Sequence, residues 1–139
     1  MKVAPYLFFT GHCAEAFQVY ETIFGGRIEA MMRYSDMPGD AGPPPSDPDM
    51  IMHACLLLGD QMLMASDAPP ERSEGPMQSV SVSVTLETPA EAERVFAALS
   101  EGARIKMPMA PTFWSPRFGM LCDRFGTHWM IACDAAPAA

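Results

Sequence analysis

Ala14-Glu15-Ala16-Phe17-Gln18-Val19-Tyr20 returns later in the chain as Ala90-Glu91-Ala92-Glu93-Arg94-Val95-Phe96. A second echo keeps the same order, Met62-Leu63-Met64-Ala65-Ser66-Asp67 against Trp129-Met130-Ile131-Ala132-Cys133-Asp134. Self-similarity in fixed order across both halves marks a duplicated supersecondary unit. In the first copy Ala16, Phe17, Tyr20, Ile23 and Phe24 recur at helical spacing before Gly25-Gly26, a stop signal. In the second, Thr88-Pro89 puts a capping hydroxyl before a proline at the first helical position, and the helix runs to Ser100 ahead of Gly102.

Strands are read on either side of each helix. Residues 3–9 alternate, with Tyr6 and Phe8 on one face and Pro5, Leu7 and Phe9 on the other. Arg27 to Tyr34 follows the first helix, and Met50 to Leu58 and Gln61 to Ser66 flank a Gly59-Asp60 turn. The segment Ser35 to Asp49 holds five prolines and reads as a long surface loop. In the second half the strands are Ser79 to Leu86, Ala103 to Lys106, Arg117 to Asp123 and His128 to Cys133. Each half is therefore strand, helix, then three strands. The expected organisation is one α+β domain with module one at 1–67, a linker at 68–78, module two at 79–134 and a frayed tail at 135–139.

The bulk numbers narrow the function. With 49% hydrophobic and 19% charged residues the chain of 139 is globular, and no apolar run approaches the roughly 20 residues of a membrane span. A net charge of −8 with nine dispersed basic residues disfavours nucleic acid and anionic membranes and leaves small neutral or cationic ligands open. Cys13, Cys55, Cys122 and Cys133 show no Cys-x-x-Cys spacing, and the N-terminus has no cleavage site, so reduced thiols in the cytoplasm are expected.

Tyr6-Leu7-Phe8-Phe9, Phe24-Gly25-Gly26, His53, Met64-Ala65-Ser66-Asp67 and Thr112-Phe113-Trp114 followed by Arg117-Phe118-Gly119-Met120 carry a resemblance over essentially the whole chain. The sequence resembles the vicinal oxygen chelate superfamily, which includes glyoxalase I, ring-cleaving dioxygenases and fosfomycin and bleomycin resistance proteins, and within it the PhnB-like branch. The resemblance implies two tandem βαβββ modules that form a curved mixed sheet with a cleft, helices on the outer face, and a homodimer. Metal-dependent members place ligands on the first and last strands of each module, which maps onto Pro5, Leu63, Ser81 and Met130. Those side chains make a poor divalent site, so no metal and no inherited metal chemistry is expected. The branch also carries methyltransferase labels, yet no glycine-rich strand-to-helix loop for an adenosyl cofactor is present, and no cofactor is expected.

Individual residues leave alternatives open. The repeat equates His53 with Arg117, which would put both in one cavity facing an anionic or carbonyl-bearing ligand; the alternative is an edge histidine and an arginine paired with a local carboxylate such as Asp123. Phe113 and Trp114 in a proline-bounded loop fit a ligand cavity or a subunit interface. Ser79, Ser81 and Ser83 line one strand face, a polar surface unusual on a central strand without water or ligand. Cys13 at a helix start is a nucleophile or buried filler, and Cys55, Cys122 and Cys133 read as core. The thirteen methionines fit a deformable lining or ordinary packing.

The expectation is a metal-free binder of a small molecule, with His53, Ser81, Trp114, Arg117 and Met130 as ligand-binding residues. The alternative is a lyase or dioxygenase-type enzyme with a displaced metal held by His53 with His128 or Asp67. A third reading makes the Phe113-Trp114 loop a pure assembly device.

Overall fold

The structure is a computed structural model that describes residues 1–38 and 47–134. Part of the expected 35–49 loop and the whole expected tail lie outside the described residues. The elements run β1 (Tyr6–Phe9), α1 (Cys13–Phe24), β2 (Arg27–Arg33), β3 (Ile51–Leu58), β4 (Gln61–Asp67), β5 (Val82–Leu86), α2 (Pro89–Leu99), β6 (Arg104–Ala110), β7 (Phe118–Cys122) and β8 (His128–Cys133). They form two mixed four-stranded sheets of identical plan, β1-β4-β3-β2 and β5-β8-β7-β6, each with its first strand parallel to its last. This is the tandem βαβββ order read from the sequence. Met1–Met77 makes one compact unit and the second begins at Gln78.

In the first unit alternation sorts β1 cleanly: Leu7 and Phe9 are buried and Tyr6 and Phe8 exposed. The buried pair meets the stripe Ala16, Phe17, Tyr20 and Ile23 of α1, with the Phe9 and Phe17 rings edge to face at 6.4 Å. No side chain at the position before α1 caps it. Asp67, buried at the end of β4, does so from across the unit: its Oδ1 accepts from Gly11 N at 2.8 Å and Cys13 N at 3.0 Å, and its Oδ2 from Ile51 N at 2.9 Å. The helix stops at Gly25, whose left-handed backbone (φ 70°) an L side chain resists.

The second unit uses its own sequence for the same job. Thr88 accepts from Glu91 N at 3.1 Å and Pro89 opens the helix, as the sequence predicts. Ala92, Val95, Phe96 and Leu99 cover the buried row Leu121, Trp129, Ile131 and Cys133. Asp123 organises the β7–β8 hairpin, accepting from Phe125 N and Thr127 N on Oδ1 and from Trp129 Nε1 on Oδ2 at 2.8 Å.

Three expectations are corrected. The serine-rich strand is an edge strand of its sheet and begins only at Val82, so its polar face needs no special partner; Ser79 sits at φ 65° before it. The strand read at 103–106 extends to Ala110 and takes in Pro108, which an edge strand tolerates. The echo of the last strands is one residue out of register. Met64 pairs with Tyr6 and Cys55, and Met130 pairs with Ser83 and Met120, so Met64 is the counterpart of Met130, while Leu63 points to the helix. A one-residue slip moves a side chain to the opposite face of a sheet.

Candidate functional site

Each sheet has one face under its helix and one open face, and the ladders assign residues to them. On the first sheet Tyr6 and Phe8 of β1, Met62, Met64 and Ser66 of β4, His53, Cys55 and Leu57 of β3, and Met32 of β2 share the open face. Tyr6 and His53 are joined there. The Tyr6 hydroxyl lies 3.0 Å from His53 Nδ1, and the rings stack with centroids 5.8 Å apart. Phe8 is 55% exposed beside Tyr6 (ring centroids 5.2 Å), so a polar pair stands among aromatic and thioether surface that no helix covers. At the far side of the same face Cys55 Sγ contacts the Glu29 carboxylate at 3.7 Å, and burial together with that carboxylate pushes the Cys55 thiol up.

The open face of the second sheet carries Ser83 and Thr85, His128 and Met130, and Phe118, Met120 and Cys122. Met130 lies in the middle of that face, paired with Ser83 and Met120. Ser81 precedes β5 on the same alternation as Ser83 and is half-buried. Trp114 lies against Phe118, edge to face at 5.3 Å, and Phe113 against Trp114 at 4.7 Å. Their loop is pinned by buried Ser115, whose one hydroxyl hydrogen is shared between the Arg117 and Cys133 carbonyls at 2.7 and 2.9 Å and whose oxygen accepts from Cys133 N.

Arg117 departs from its expected surroundings. Gly119 and Leu121 share its alternation, not Phe118 and Met120, so the counterpart of His53 on the second open face is an apolar position of β7 and not this arginine. Its guanidinium donates to Glu93 of α2 through Nε at 2.6 Å and to the Met109 carbonyl at 3.2 Å, and it forms an ion pair with Glu93. The local carboxylate is Glu93; Asp123 serves the hairpin.

Residues 1–132 match the profile of the family described as 3-demethylubiquinone-9 3-methyltransferase. The chain belongs to this PhnB-like family. The crystal structure of PA1353 from Pseudomonas aeruginosa is 44% identical, with 96% of this chain and 98% of that one covered and a TM-score of 0.87. The PhnB protein of Bacillus cereus is 28% identical, with 96% and 99% covered and a TM-score of 0.77. Protein YjdN of Escherichia coli K12 is 29% identical over 94% of both chains. In fold alone, FosX of Listeria monocytogenes follows the same plan at 10% identity, with 96% and 90% covered and a TM-score of 0.59.

The groups that this PhnB-like chain's fold and family name imply can be tested against its side chains. With the register corrected, first-strand and last-strand positions on the open faces are Tyr6 with Met64 and Ser83 with Met130. A phenol, a hydroxyl and two thioethers do not fit a hard or borderline divalent cation. Among the described residues no three of His, Cys, Asp or Glu gather as a metal-holding group. The displaced set fares no better. Both Asp67 oxygens are engaged by backbone N–H groups, and His128 Nδ1 is met by Lys106 Nζ at 2.8 Å. The start of α1, where helix N–H groups would greet a cofactor's anionic group, is filled by the same Asp67 carboxylate. Cys13 beside it is a buried thiol pushed far up by burial and by Asp67, unsuited to nucleophilic work.

The sequence missed Tyr6 as the partner of His53, because the contact spans 47 positions. It also filed Cys122 with the core, whereas Cys122 is half-exposed next to His128. A cross-strand reading of the Asp123 hairpin, which sets Cys122 opposite His128, is the signal that would have found it.

Proposed function

We propose that this PhnB-like protein binds a small organic molecule on the open faces of its sheets, without the metal of its superfamily, and works as a homodimer. The observation that carries the reading is the Tyr6–His53 pair set among Phe8, Met32 and Met64. A few fixed hydrogen-bonding groups on an apolar, adaptable ground are what a small-molecule site requires. In the first unit His53 would touch a ligand; in the second Met130 would, with Ser81 and Trp114 at the margins of its open face. Arg117 would act by holding the loop 111–117 to α2 through Glu93, not by contact. Tyr6 joins the set. The net charge of −8 favours neutral or cationic ligands over anions.

The homodimer rests on Phe113, 97% exposed, and Trp114, 53% exposed, on a loop that Ser115 fixes. Rigid exposed aromatics are interface anchors. Sedimentation of the full chain should give the dimer mass, and Phe113→Ser should shift it to monomer with unchanged far-UV circular dichroism, because Phe113, 97% exposed, buries almost nothing in its own unit. A monomeric parent, or an unchanged dimer in the variant, contradicts the assignment.

The binding reading is tested by thermal-shift screening against neutral and cationic aromatic compounds. At least one should raise Tm, since a ligand that prefers the native state stabilises it by mass action. His53→Ala should weaken that compound's affinity by about tenfold, the order expected when a hydrogen-bonding group on the ligand loses its partner. No stabilising compound across the set, or equal affinity in His53→Ala, would overturn it. The family's methyltransferase label adds nothing to this reading, because Asp67 already fills the start of α1, where N–H groups would meet a cofactor's anionic group.

A further inference from the structure

Lys106, His128 and Cys122 are neighbouring half-buried polar side chains at one end of the second open face. Lys106 Nζ lies 2.8 Å from His128 Nδ1. An ammonium has hydrogens to give and no lone pair to accept with, so Nδ1 presents its lone pair and the neutral ring keeps its proton on Nε2. Nε2 stands 3.9 Å from Cys122 Sγ, directly across the β7–β8 ladder. The thiol hydrogen has its own acceptor, the Asp123 carbonyl at 3.8 Å. The sulfur lone pairs therefore face an N–H donor that a lysine has oriented. Arg104, the ladder partner of Cys122 on β6, brings a second cation to the same place. The other cysteines, Cys13, Cys55 and Cys133, are buried.

We propose that Cys122 is a nucleophilic thiol, served by His128 and positioned through it by Lys106, and that it adds to soft carbon electrophiles, α,β-unsaturated carbonyl compounds with an apolar body. The site lies on the second sheet, where it shares Met130 with the proposed small-molecule surface, and its chemistry does not depend on that reading. Cys122 gives its proton to solvent, and the sulfur, hydrogen-bonded by His128 Nε2–H, attacks the β-carbon. A C–S bond forms and the alkene π pair moves onto the carbonyl oxygen as an enolate, toward the positive end of the face supplied by Lys106 and Arg104. Water then returns a proton to the α-carbon, so the sum is thiol plus alkene giving thioether, with no oxidant consumed. Met120 and Met130, next along β7 and β8 on the same face, offer deformable apolar surface to the rest of the molecule.

The test uses N-ethylmaleimide on the native full chain, with peptide mapping against time. Cys122 should be modified first, about tenfold faster than the same cysteine in denaturant, while Cys13, Cys55 and Cys133 wait for unfolding. His128→Leu and Lys106→Met should each slow the Cys122 reaction by about tenfold, and Lys106→Arg should restore it. Imidazole 15N shifts should show the Nε2–H tautomer of His128 in the parent and a tautomer mixture in Lys106→Met, a change that a merely structural lysine would not produce. Should His128→Leu fail to fold, the Lys106 pair and the tautomer shifts decide. Labelling of native Cys122 no faster than in denaturant, or at one rate in the parent and in Lys106→Met, overturns the proposal.

Discussion

Asp67 in the first unit and Asp123 in the second are buried carboxylates with different duties, each gathering N–H groups that the backbone or an indole would otherwise bury unpaired. Removing such an acceptor strands donors inside the protein, and each hydrogen bond to a charged group contributes about 1.5–3 kcal/mol. Asp67→Asn keeps the shape but turns an amide N–H2 toward an N–H, so it should cost about 2–4 kcal/mol in urea unfolding. A loss under about 0.5 kcal/mol would show that Asp67 does not cap α1. Cys13 makes the companion prediction. Its folded thiol is raised by burial, so it stays protonated where the unfolded thiol, near pH 8.5, ionises. The stability due to this shift is whole below that pH and falls as pH rises above it, and Cys13→Ala should flatten the alkaline fall. Unchanged slopes in parent and variant would count against the assigned cause. Neither role was legible in sequence, because Asp67 reaches Cys13 across 54 positions and no local pattern encodes that contact.

At the scale of elements, periodicity carried what it physically controls. Both helices begin and end within a residue of the sequence reading, since an apolar stripe at 3.6-residue spacing with Thr88, Gly25 and Gly102 at the margins is a local signal. Strand existence was equally local. Register was not: Met62-Leu63-Met64 matches Trp129-Met130-Ile131 by apolar character in either phase, and only the ladder fixes which side chains face the helix. A separate slip of one residue in β7 sets Arg117, in place of Phe118, opposite His53. Close approach between layers is a further element property hidden in sequence. A Cβ on Gly119 would fall 2.7 Å from both the Phe96 ring of α2 and Met109 Sδ. Gly119→Ala should therefore destabilise by about 1–3 kcal/mol, measured as a lower urea midpoint at unchanged slope. A midpoint equal to the parent's would mean the helix and sheet do not pack this tightly.

For the whole molecule, one plan is used twice with different side chains on the open faces: Tyr6, Phe8 and His53 in the first sheet, Ser83, Phe118 and the Cys122–His128 pair in the second. The duplicated βαβββ scaffold and the family were legible from the repeat and from the Thr112-to-Met120 segment, because backbone plan depends on pattern. Function was less legible, because a scaffold shared with enzymes and resistance proteins leaves chemistry to the few side chains on its open surfaces. No helix among the described residues is long and apolar enough to cross a membrane. The methionines supply a direct reporter of what those surfaces do. With 13C-methyl methionine, a stabilising compound from the thermal screen should shift Met32, Met62 and Met64 on the open face of the first sheet, leave Met31 on its helix side unmoved, and need about tenfold more compound to reach the same shifts in His53→Ala. Shifts confined to Met31, or an unchanged titration midpoint in His53→Ala, would contradict a ligand site on that face.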